Sequence, residues 1–439
     1  MLPRTLVGFA LLIAAAGSAA AGDLRARVII QTIQETGTAG GVDAVVHACG
    51  GRVARRFRAL SALLADVPTD CLDALAEHPE VRAVSADRPV HGALQQTTRT
   101  SVGAAWVVDR MGFDGNGIGV AIVDSGAASW HDDLGSRVVH FADFVNRQTQ
   151  PYDDYGHGTH VAGIIAGTGS SANGARRGIA PGAHLVVLKA LDGGGDGNVS
   201  HVVAAIDYAV RHRATHNIRV LNLSVAAAVQ ESYQTDPLTQ AARRAVEAGI
   251  VVITAAGNLG RDADGGAQYG GITAPGNAPW VLTVGASNDH GTASRRDDTV
   301  AAFSSRGPAP IDGAAKPDIL APGVAIESLG DPASLLYATR PAARRWGASR
   351  SGSEPYLTLS GTSMSAPIVA GTVALMLQAN PSLSPDAVRT VLQRTAENHG
   401  KYDHFTQGAG FLNARAAVEH ARALAAGSVA PAQEDGGSQ

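Results

Sequence analysis

The sequence predicts an α/β fold in which helices cover both faces of a parallel sheet, preceded by a small α+β unit. Two patterns support this prediction. From residue 120 onward, short apolar runs rich in β-branched residues alternate with stretches of helical period, as expected for buried parallel strands joined by helices. Residues 27–90 instead follow the order β-α-β-β-α-β, which fits a split βαβ unit with a small antiparallel sheet.

The composition is that of a globular protein with a sizeable core. The chain has 439 residues, 45% of them hydrophobic, which suggests two or three domains. Its 52 glycines are scattered rather than periodic, which excludes collagen-like and low-complexity structures. The formal net charge is −4 and the sequence has no basic block, so neither nucleic acid nor an anionic membrane is a predicted partner.

The first 21 residues have the features of a secretory signal peptide. Arg4 supplies a positive charge, residues 6–16 form an apolar run too short to span a bilayer, and the alanines at 19–21 provide a cleavage site. A short N-terminal anchor is the alternative. Because no later stretch of the sequence is long and apolar enough to span, we expect a secreted or periplasmic protein with no membrane anchor in its mature form.

Residues 22–93 form the first predicted domain. Its strands are expected at 27–33, around 50–57, within 57–67 and at 81–90, and its helices at 42–51 and 69–79. Cys49 and Cys71, the two cysteines of the chain, fall at the end of the first helix and the start of the second. A disulfide and two buried free thiols both fit this arrangement. Thiol catalysis further along the chain is excluded, because no cysteine lies there.

The main domain is predicted at 94–426, after a polar linker at 91–100 and before a disordered tail at 427–439. Strands are expected at 120–124, 184–191, 219–225, 250–258 and 280–287. Helical stretches are expected at 160–167, 202–212 and 238–249. A further strand beginning at residue 356 leads into a long apolar helix that reaches residue 377.

Two polar positions in the first half of this domain lie where a parallel sheet binds ligands. Asp124 ends the strand VAIVD, at the carboxyl edge of the predicted sheet. His157, between Gly156 and Gly158, begins the next helix with little side-chain bulk around it. His160 follows at a spacing that allows both histidines to face one side of the helix and share a metal ion. The pair lacks a third ligand and the H-E-x-x-H pattern, which argues against a metal site.

Two further candidates lie in the second half. Ser363 follows Gly361 and Thr362 at the start of the apolar helix, where backbone N–H groups and the helix dipole favour developing negative charge. A helix cap is the ordinary role of such a serine, but a cap needs only one hydroxyl and three crowd this junction. Asn258, at the end of ITAAGN, is either a turn residue or an amide donor to an oxyanion.

Asp124, His157 and Ser363 together supply the residue types of a nucleophilic triad. A serine hydroxyl is a weak nucleophile until a base removes its proton, and His157 is the candidate for that base and for the acid that protonates the leaving amine. Asp124 would fix the imidazole tautomer and stabilise the imidazolium. The order Asp, His, Ser along the chain is one of the orders in which such triads occur.

The chain resembles the subtilisin-like serine proteases, the subtilases. The segments VAIVDSG, HGTHVAG, AAGN and SGTSMSAP are similar to four signature blocks of that family, in the order found in subtilisin. FSSRGP (303–308) and KPDILAPG (316–323) are also similar to family segments. The resemblance implies a three-layer α/β/α fold with a mostly parallel central sheet. It also implies the site residues: Asp124, His157 and Ser363 as triad, Asn258 as oxyanion donor and His160 as a structural histidine.

The resemblance implies a role for each domain. Residues 27–91 are similar to the family's propeptide, which assists folding and inhibits the protease until it cuts itself off, here between His91 and Thr100. The main domain is expected to hydrolyse polypeptides as a monomer. Two competing hypotheses are a catalytically idle relative that serves as a binding module and a metal-dependent hydrolase that uses the two histidines.

In this family the substrate lies as an extended strand between two enzyme segments. By resemblance, one segment is Gly195, Asp196 and Gly197, and the other is Ser224, Val225 and Ala226. The second departs from the usual Ser-Leu-Gly. The methyl group of Ala226 is therefore expected to narrow the pocket for the substrate residue that donates the scissile carbonyl.

Calcium is the one cofactor that the resemblance suggests, as a structural ion. Many relatives bind it in the loop after the histidine-bearing helix, but here that loop, residues 167–178, has two arginines and no carboxylate. Asp153 and Asp154, or the acidic loop 261–266, are the remaining candidates.

Residues 343–355 are predicted to form an additional surface loop.

Overall fold

The computed structural model describes residues 25–33, 41–57, 62–86, 94–349 and 354–427. The predicted signal peptide at 1–21 lies outside the described residues, as does the predicted tail beyond its first residue, Gly427. The chain divides into two compact units, residues 1–92 and residues 93–439. Each unit has a sheet of its own.

The first unit is a four-stranded antiparallel sheet with two helices. Its elements are β1 (Arg25–Thr32), α1 (Val42–Ala48), β2 (Arg52–Phe57), β3 (Ala62–Pro68), α2 (Leu72–Glu77) and β4 (Val81–Ala86). The strands lie in the order β2-β3-β1-β4. Alternate residues of β1, Val28 and Ile30, are fully buried and pack with Val46 of α1 and Leu75 of α2. The predicted β-α-β-β-α-β order is confirmed.

A disulfide joins the two helices of this unit. Cys49 directly follows α1, and Cys71 directly precedes α2. The two residues are bonded, with their Cα atoms 6.0 Å apart. Of the two alternatives that the sequence left open, the structure contains the disulfide.

The second unit alternates strands with helices. Its first half contains α3 (Leu94–Ser101), α4 (Ala104–Trp106), β5 (Gly119–Asp124), β6 (Val138–Asp143), α5 (His157–Ala166), β7 (His184–Lys189), α6 (Val199–Arg211), β8 (Ile218–Leu223), α7 (Pro237–Glu247) and β9 (Val251–Ala255). Its second half contains β10 (Leu282–Asn288), β11 (Thr299–Val300), β12 (Ile319–Pro322), β13 (Ile326–Leu329), α8 (Leu335–Thr339), β14 (Arg344–Arg345), β15 (Tyr356–Leu359), α9 (Thr362–Ala379), α10 (Pro385–Thr395), α11 (His404–Gln407) and α12 (Ala414–Ala425).

The central sheet of this unit is parallel apart from one short strand. Its order is β11-β10-β9-β8-β5-β7-β6, and β12 also pairs with β10. Only β11 runs antiparallel to its neighbour among these described strands. In β5, Val120 and Ile122 pack into the core that contains α5 and α9, whereas Ala121 and Val123 pack into the core that contains α6 and α7. Burial on both faces explains the unbroken apolar runs and confirms the three-layer α/β/α fold.

The helix α9 passes through the core of this unit. The expectation that no later stretch is long and apolar enough to span a membrane is wrong for this helix, the one helix among the described residues that meets both conditions. However, 83% of that stretch is buried inside the protein. Small residues permit the close packing: a Cβ atom on Gly371 would lie 2.6 Å from the side chain of Ile179. The helix is therefore a core element that carries Ser363 in its first turn.

The structure corrects two predictions and adds strands that the sequence did not reveal. Residues 94–100 of the predicted linker belong to α3, which ends at Ser101 and is held by polar contacts such as that from Thr98 Oγ1 to a carboxylate oxygen of Asp289, at 2.9 Å. The predicted surface loop at 343–355 contains β14, which pairs with β15. The edge strand β6 escaped prediction because most of it is only half-buried and carries a histidine.

Candidate active site

Asp124 is fully buried at the carboxyl end of β5, near the middle of the central sheet. Its carbonyl oxygen accepts hydrogen bonds from the backbone N–H groups of Ala190 (2.8 Å) and Leu191 (3.2 Å), which follow the neighbouring strand β7. Its carboxylate accepts one from the N–H of Ser125, at 2.8 Å. These bonds fix the carboxylate at the sheet edge, where parallel sheets bind ligands.

His157 begins α5 and faces this carboxylate. Its Nδ1 lies 2.8 and 3.0 Å from the two carboxylate oxygens of Asp124. That contact holds the proton on Nδ1 and leaves Nε2 as the basic nitrogen. The approach requires the glycine next to it, because a Cβ atom on Gly158 would lie only 2.1 Å from the carbonyl oxygen of Gly126.

The pKa of His157 is raised above its ordinary value. Burial by itself lowers the pKa of an imidazole, but the charge and the hydrogen bond of Asp124 outweigh that effect. Asp153 also raises this pKa, whereas Arg340 lowers it. The imidazole is therefore a stronger base than a free histidine, as a group that removes a proton from an alcohol needs to be.

A second buried carboxylate, that of Asp153, holds the segment around His157 in place. Its Oδ1 accepts from the hydroxyl of Ser125 (2.8 Å) and from the N–H of Gly156 (2.7 Å). Its Oδ2 accepts from the N–H (2.7 Å) and the hydroxyl (2.6 Å) of Thr159. The Ser125 hydroxyl in turn accepts from the N–H of Gly158, at 2.9 Å. The residues on either side of His157 are thus tied to the residue after Asp124.

Ser363 lies in the first turn of α9 and is partly exposed. Because Pro367 has no N–H, the carbonyl oxygen of Ser363 has no partner in the usual helical position. It accepts instead from the hydroxyl of Ser224, at 3.0 Å. Gly361 occupies the N-cap position without any side-chain cap, so the helix-cap interpretation of Ser363 is wrong.

Asn258 follows β9 and faces the same helix end. Its side-chain Oδ1 accepts from the N–H and from the hydroxyl of Thr362, at 2.9 and 3.1 Å. The Thr362 hydroxyl also accepts from the N–H of Gly257, at 3.2 Å. Since the amide oxygen is engaged twice, the orientation of the amide is fixed and its NH2 group is the free donor beside Ser363.

A cavity of about 310 Å³ brings most of the predicted residues together, although Asp124 and Asn258 are not among those that line it. His157 and Ser363 both line it. So do all six residues expected to contact the substrate: Gly195, Asp196, Gly197, Ser224, Val225 and Ala226. The apolar side chains of Val199, Val202 and Leu238 complete its wall. The cavity therefore places three apolar side chains in a largely polar wall that also contains a serine and an imidazole.

His160 lies one turn after His157 in a different setting. It is buried, and its Nε2 donates to the carbonyl oxygens of Ile326 (3.2 Å) and Leu357 (3.1 Å), which belong to β13 and β15. Burial lowers its pKa to about 3, so the imidazole is neutral. No three metal-ligating side chains among the described residues form a group that could hold a metal ion. The two imidazoles are engaged with different partners, His157 with a carboxylate and His160 with two carbonyl oxygens.

The carboxylates considered for calcium already have partners. Both oxygens of Asp153 accept the hydrogen bonds described above, and Oδ1 of Asp154 is paired with the ammonium of Lys189, at 2.6 Å. In the acidic loop, Oδ1 of Asp262 accepts from the N–H groups of Asp264 (3.0 Å) and Gly266 (2.7 Å) within its own turn. A calcium ion needs several oxygen ligands that converge on one point, and no group of three such side chains is found among the described residues.

The roles of four residues of the site were not predicted from the sequence, although Asp153 was considered as a calcium ligand. Ser125, Asp153 and Lys189 act through contacts between segments distant in sequence, which no local pattern reveals. Tyr155 lines the cavity, and its ring packs so closely on Gly195 that a Cβ atom there would lie 2.4 Å from it. The glycines of LDGGGDGN were the available signal, since a glycine in a wall often marks such a close approach.

Comparison with known proteins places this site in a family. A sequence model of the subtilase family matches residues 115–411, more than half of the chain. Serine protease AprX of Bacillus subtilis (strain 168) is 40% identical over 369 residues, covering 83% of this chain and 80% of that protein. Subtilisin E of the same strain is 32% identical over 377 residues, or 85% of each chain.

A solved structure supports the same assignment. The crystal structure of a cold adapted subtilisin-like serine proteinase matches with a TM-score of 0.51 and 29% sequence identity, covering 69% of this chain and 90% of that one. The matched family segment includes the strand that ends at Asp124 and the helix that carries Ser363 in its first turn. The chain belongs to the subtilase family and is a serine endopeptidase of the subtilisin type.

Proposed function

We propose that the enzyme hydrolyses peptide bonds through a triad of Asp124, His157 and Ser363, with Asn258 as a donor to the oxyanion. The observation that carries this proposal is the position of one imidazole: it lies against both oxygens of a buried carboxylate and lines a cavity together with a serine at a helix start. Such an imidazole is a base aligned for the serine proton.

The first half of the reaction forms an acyl-enzyme. His157 Nε2 takes the hydroxyl proton of Ser363 while the serine oxygen attacks the scissile carbonyl. The imidazolium, stabilised by Asp124, then gives that proton to the leaving amine. In the second half a water molecule repeats the attack, with His157 again as base, and the carboxylic acid product leaves with Ser363 regenerated.

Negative charge on the carbonyl oxygen has two donors in this proposal. The amide NH2 of Asn258 is one, held in orientation by the two bonds from Thr362 to its oxygen. The backbone N–H of Ser363 is the other, in the first turn of α9, where N–H groups lack helical partners. Both donors are set before the substrate arrives, so little reorganisation is needed in the transition state.

The substrate is an extended polypeptide segment between residues 195–197 and 224–226. Strand addition to these segments would supply main-chain hydrogen bonds, and the apolar side chains of Val199, Val202 and Leu238 would contact an apolar side chain of the substrate. Asp196 is the one carboxylate among the residues that line the cavity, and it is exposed to solvent, so it would attract a basic side chain only weakly.

The same proposal covers maturation and location. The signal-peptide features of residues 1–21 and the disulfide Cys49–Cys71 support a secreted or periplasmic protein. We infer that residues 22–93 act as an intramolecular inhibitor and folding assistant, removed by self-cleavage between His91 and Thr100. Because a protease binds its substrate extended and α3 begins at Leu94, a cut just before α3 is expected. The mature enzyme is expected to be a monomer.

The test is the intact mass of the purified secreted protein before and after a fluorophosphonate. A species that begins near residues 92–100 and gains one adduct on Ser363 would support self-processing and an activated serine together. The Ser363→Ala variant is the matched control, and it should stay unprocessed and unlabelled. EDTA should leave labelling unchanged.

Other results would contradict parts of the proposal. An unprocessed chain without an adduct, which stays unlabelled after a trace of active enzyme removes residues 22–93, would identify an idle relative. EDTA-sensitive hydrolysis without any adduct would instead favour a metal-dependent hydrolase.

A further inference from the structure

A buried ammonium group lies beside the triad, and no step of the proposed reaction uses it. Lys189 is the last residue of β7 and pairs in parallel register with Asp124, the last residue of β5. Its side chain is fully buried. A buried charge is costly unless it is paired and hydrogen-bonded, so the partners of this group indicate what it stabilises.

The partners belong to the two segments that form the triad's acid and base. Nζ of Lys189 donates to the carbonyl oxygen of Ser125 and to Oδ1 of Asp154, both at 2.6 Å, and lies 4.7 Å from the centre of the Tyr152 ring. Ser125 directly follows Asp124. Asp154 precedes His157 in the loop before α5. One ammonium group therefore joins the carboxylate-bearing segment to the imidazole-bearing segment.

We propose that Lys189 is a positioning residue of the triad, holding Asp124 and His157 in register through Ser125 and Asp154, and that the Lys189–Asp154 pair balances the charge around His157. The inference rests on the proposed triad mechanism. A shift of one segment against the other would lengthen the contact between Nδ1 and the carboxylate, and small misplacements of reacting groups cost large factors in rate.

The charge balance gives Lys189 a signature that a purely structural lysine lacks. The pair is neutral as a unit, so removal of either member leaves the charge of the other uncompensated near the imidazole. The charged or titratable groups that face His157 from the surrounding elements are Asp124, Asp153, Tyr155, His160 and Arg340. They stay the same in variants of the pair, so a difference between those variants reports the pair.

The test compares Lys189→Met, Asp154→Asn and the double variant in the processed enzyme, with a peptide substrate from pH 5 to 10. At low pH, kcat/KM falls as His157 becomes protonated. The midpoint of this fall, the acid limb of the profile, reports the pKa of His157 in the free enzyme. In Lys189→Met the remaining carboxylate favours the imidazolium, so the limb should move to higher pH. In Asp154→Asn the remaining ammonium disfavours it, so the limb should move to lower pH.

The double variant separates charge from position. Its acid limb should return towards that of the parent, because neither charge remains. Its kcat should stay reduced about tenfold or more with KM within about twofold of the parent, because the brace between the segments is missing.

Several outcomes would overturn the inference. One such outcome is an apparent pKa of kcat/KM, on the acid side of the profile, that shifts in the same direction in both single variants. Another is an apparent pKa that equals that of the parent enzyme in both. Either would show that the pair does not act on His157. If Lys189→Met does not fold, Asp154→Asn decides alone, since that side chain is 38% exposed and its loss leaves the core intact. A parent enzyme that gains no fluorophosphonate adduct would contradict the proposed function instead, so the two failures are distinguishable.

Discussion

His157 and His160 lie one turn apart on α5, in surroundings that differ in each property that governs imidazole chemistry. His157 is the first residue of the helix, lines the cavity and donates a hydrogen bond from Nδ1 to the carboxylate of Asp124. His160 is buried and donates a hydrogen bond from Nε2 to two backbone carbonyl oxygens. Burial lowers both pKa values, but the carboxylate outweighs it at His157 alone, so the two pKa values shift in opposite directions.

This difference shows what converts a histidine into a base or into a structural donor. A buried carboxylate offsets the cost of a charged imidazolium, so the protonated form of His157 is favoured and its pKa is raised. Carbonyl oxygens in a dry setting hold an imidazole but compensate its charge only weakly, so His160 stays neutral. One short segment, HGTHVAG, thus contains both the proposed base of the triad and a histidine that binds the carbonyl oxygens of β13 and β15.

The sharpest test of the comparison applies the same substitution at both positions. His157→Gln should lower kcat by about 10⁶-fold, because it removes the base while leaving the cavity filled. Its free energy of unfolding should change little. Measurement of kcat on a peptide substrate, together with urea unfolding of both variants, checks the prediction. Loss of activity by less than about tenfold at position 157 would remove this residue from the triad.

His160→Gln is the matched partner of that experiment. The glutamine amide can still donate to the carbonyl oxygens, so stability should fall only modestly and kcat should stay within a few-fold of the parent. His160→Leu leaves both carbonyl oxygens without a donor, which should cost about 2–3 kcal/mol of unfolding free energy. The His160→Leu variant should be assayed below its melting temperature. If it is less stable but keeps the kcat of the parent, the contrast between the two histidines is supported. A loss of kcat as large as that of His157→Gln would contradict it.

The direction in which each histidine pKa shifts should determine how the free energy of unfolding changes with pH. His160 has a folded pKa of about 3, below its value of 6.5 when unfolded, so the unfolded chain binds an extra proton between these limits. Stability is therefore retained above pH 6.5 and lost by up to about 1.4 kcal/mol per pH unit as the pH falls. His157, with a raised folded pKa, contributes stability that is present below pH 6.5 and lost as the pH rises through the folded pKa.

Urea unfolding of the fluorophosphonate-blocked enzyme from pH 4 to 8 measures this slope. The blocked His160→Leu variant should show a shallower decline below pH 6.5, because the proton-linked loss at this position is gone. An unchanged slope would mean that the imidazole of His160 is protonated in the folded protein, which its two carbonyl partners and its burial argue against.

The sequence predicted those parts of the molecule that local patterns encode. The parallel strands could be found because both faces of each strand are buried, and Asp124, His157 and Ser363 because each ends or begins an element next to small residues. The strand β6 and the helix α3 could not, since one lies half-buried at the sheet edge and the other is held by polar contacts to a distant loop.

The parts of the site that escaped prediction depend on contacts between distant segments. In the sequence, Lys189 looks like any other strand residue. Only the parallel pairing of β5 with β7 shows that it lies beside Asp124. Asp153 reads as a surface carboxylate until Ser125, Gly156 and Thr159 surround it. Such residues define how firmly the reacting groups are held, and their function becomes visible only in three dimensions.

The smallest predicted effect concerns Ala226, which lines the same cavity as the base His157. Ala226 lies next to Val225 in the segment that departs from the family's Ser-Leu-Gly, and both line the cavity. If its methyl group narrows the pocket, Ala226→Gly should raise kcat/KM for a bulky residue at the scissile carbonyl, relative to a small one, by up to about tenfold, since one methyl group changes such discrimination by about 1 kcal/mol.

The control is Ala228→Gly, two residues further on, which is exposed and does not line the cavity. It carries the same loss of backbone restriction, so it separates pocket shape from backbone flexibility. A change in preference at position 226 alone would assign specificity to the departure from the family sequence, while His157 and Ser363 keep the chemistry. Equal profiles for the parent and Ala226→Gly would mean that the methyl group points away from the substrate and that Val225 and the other side chains of the cavity wall determine the preference.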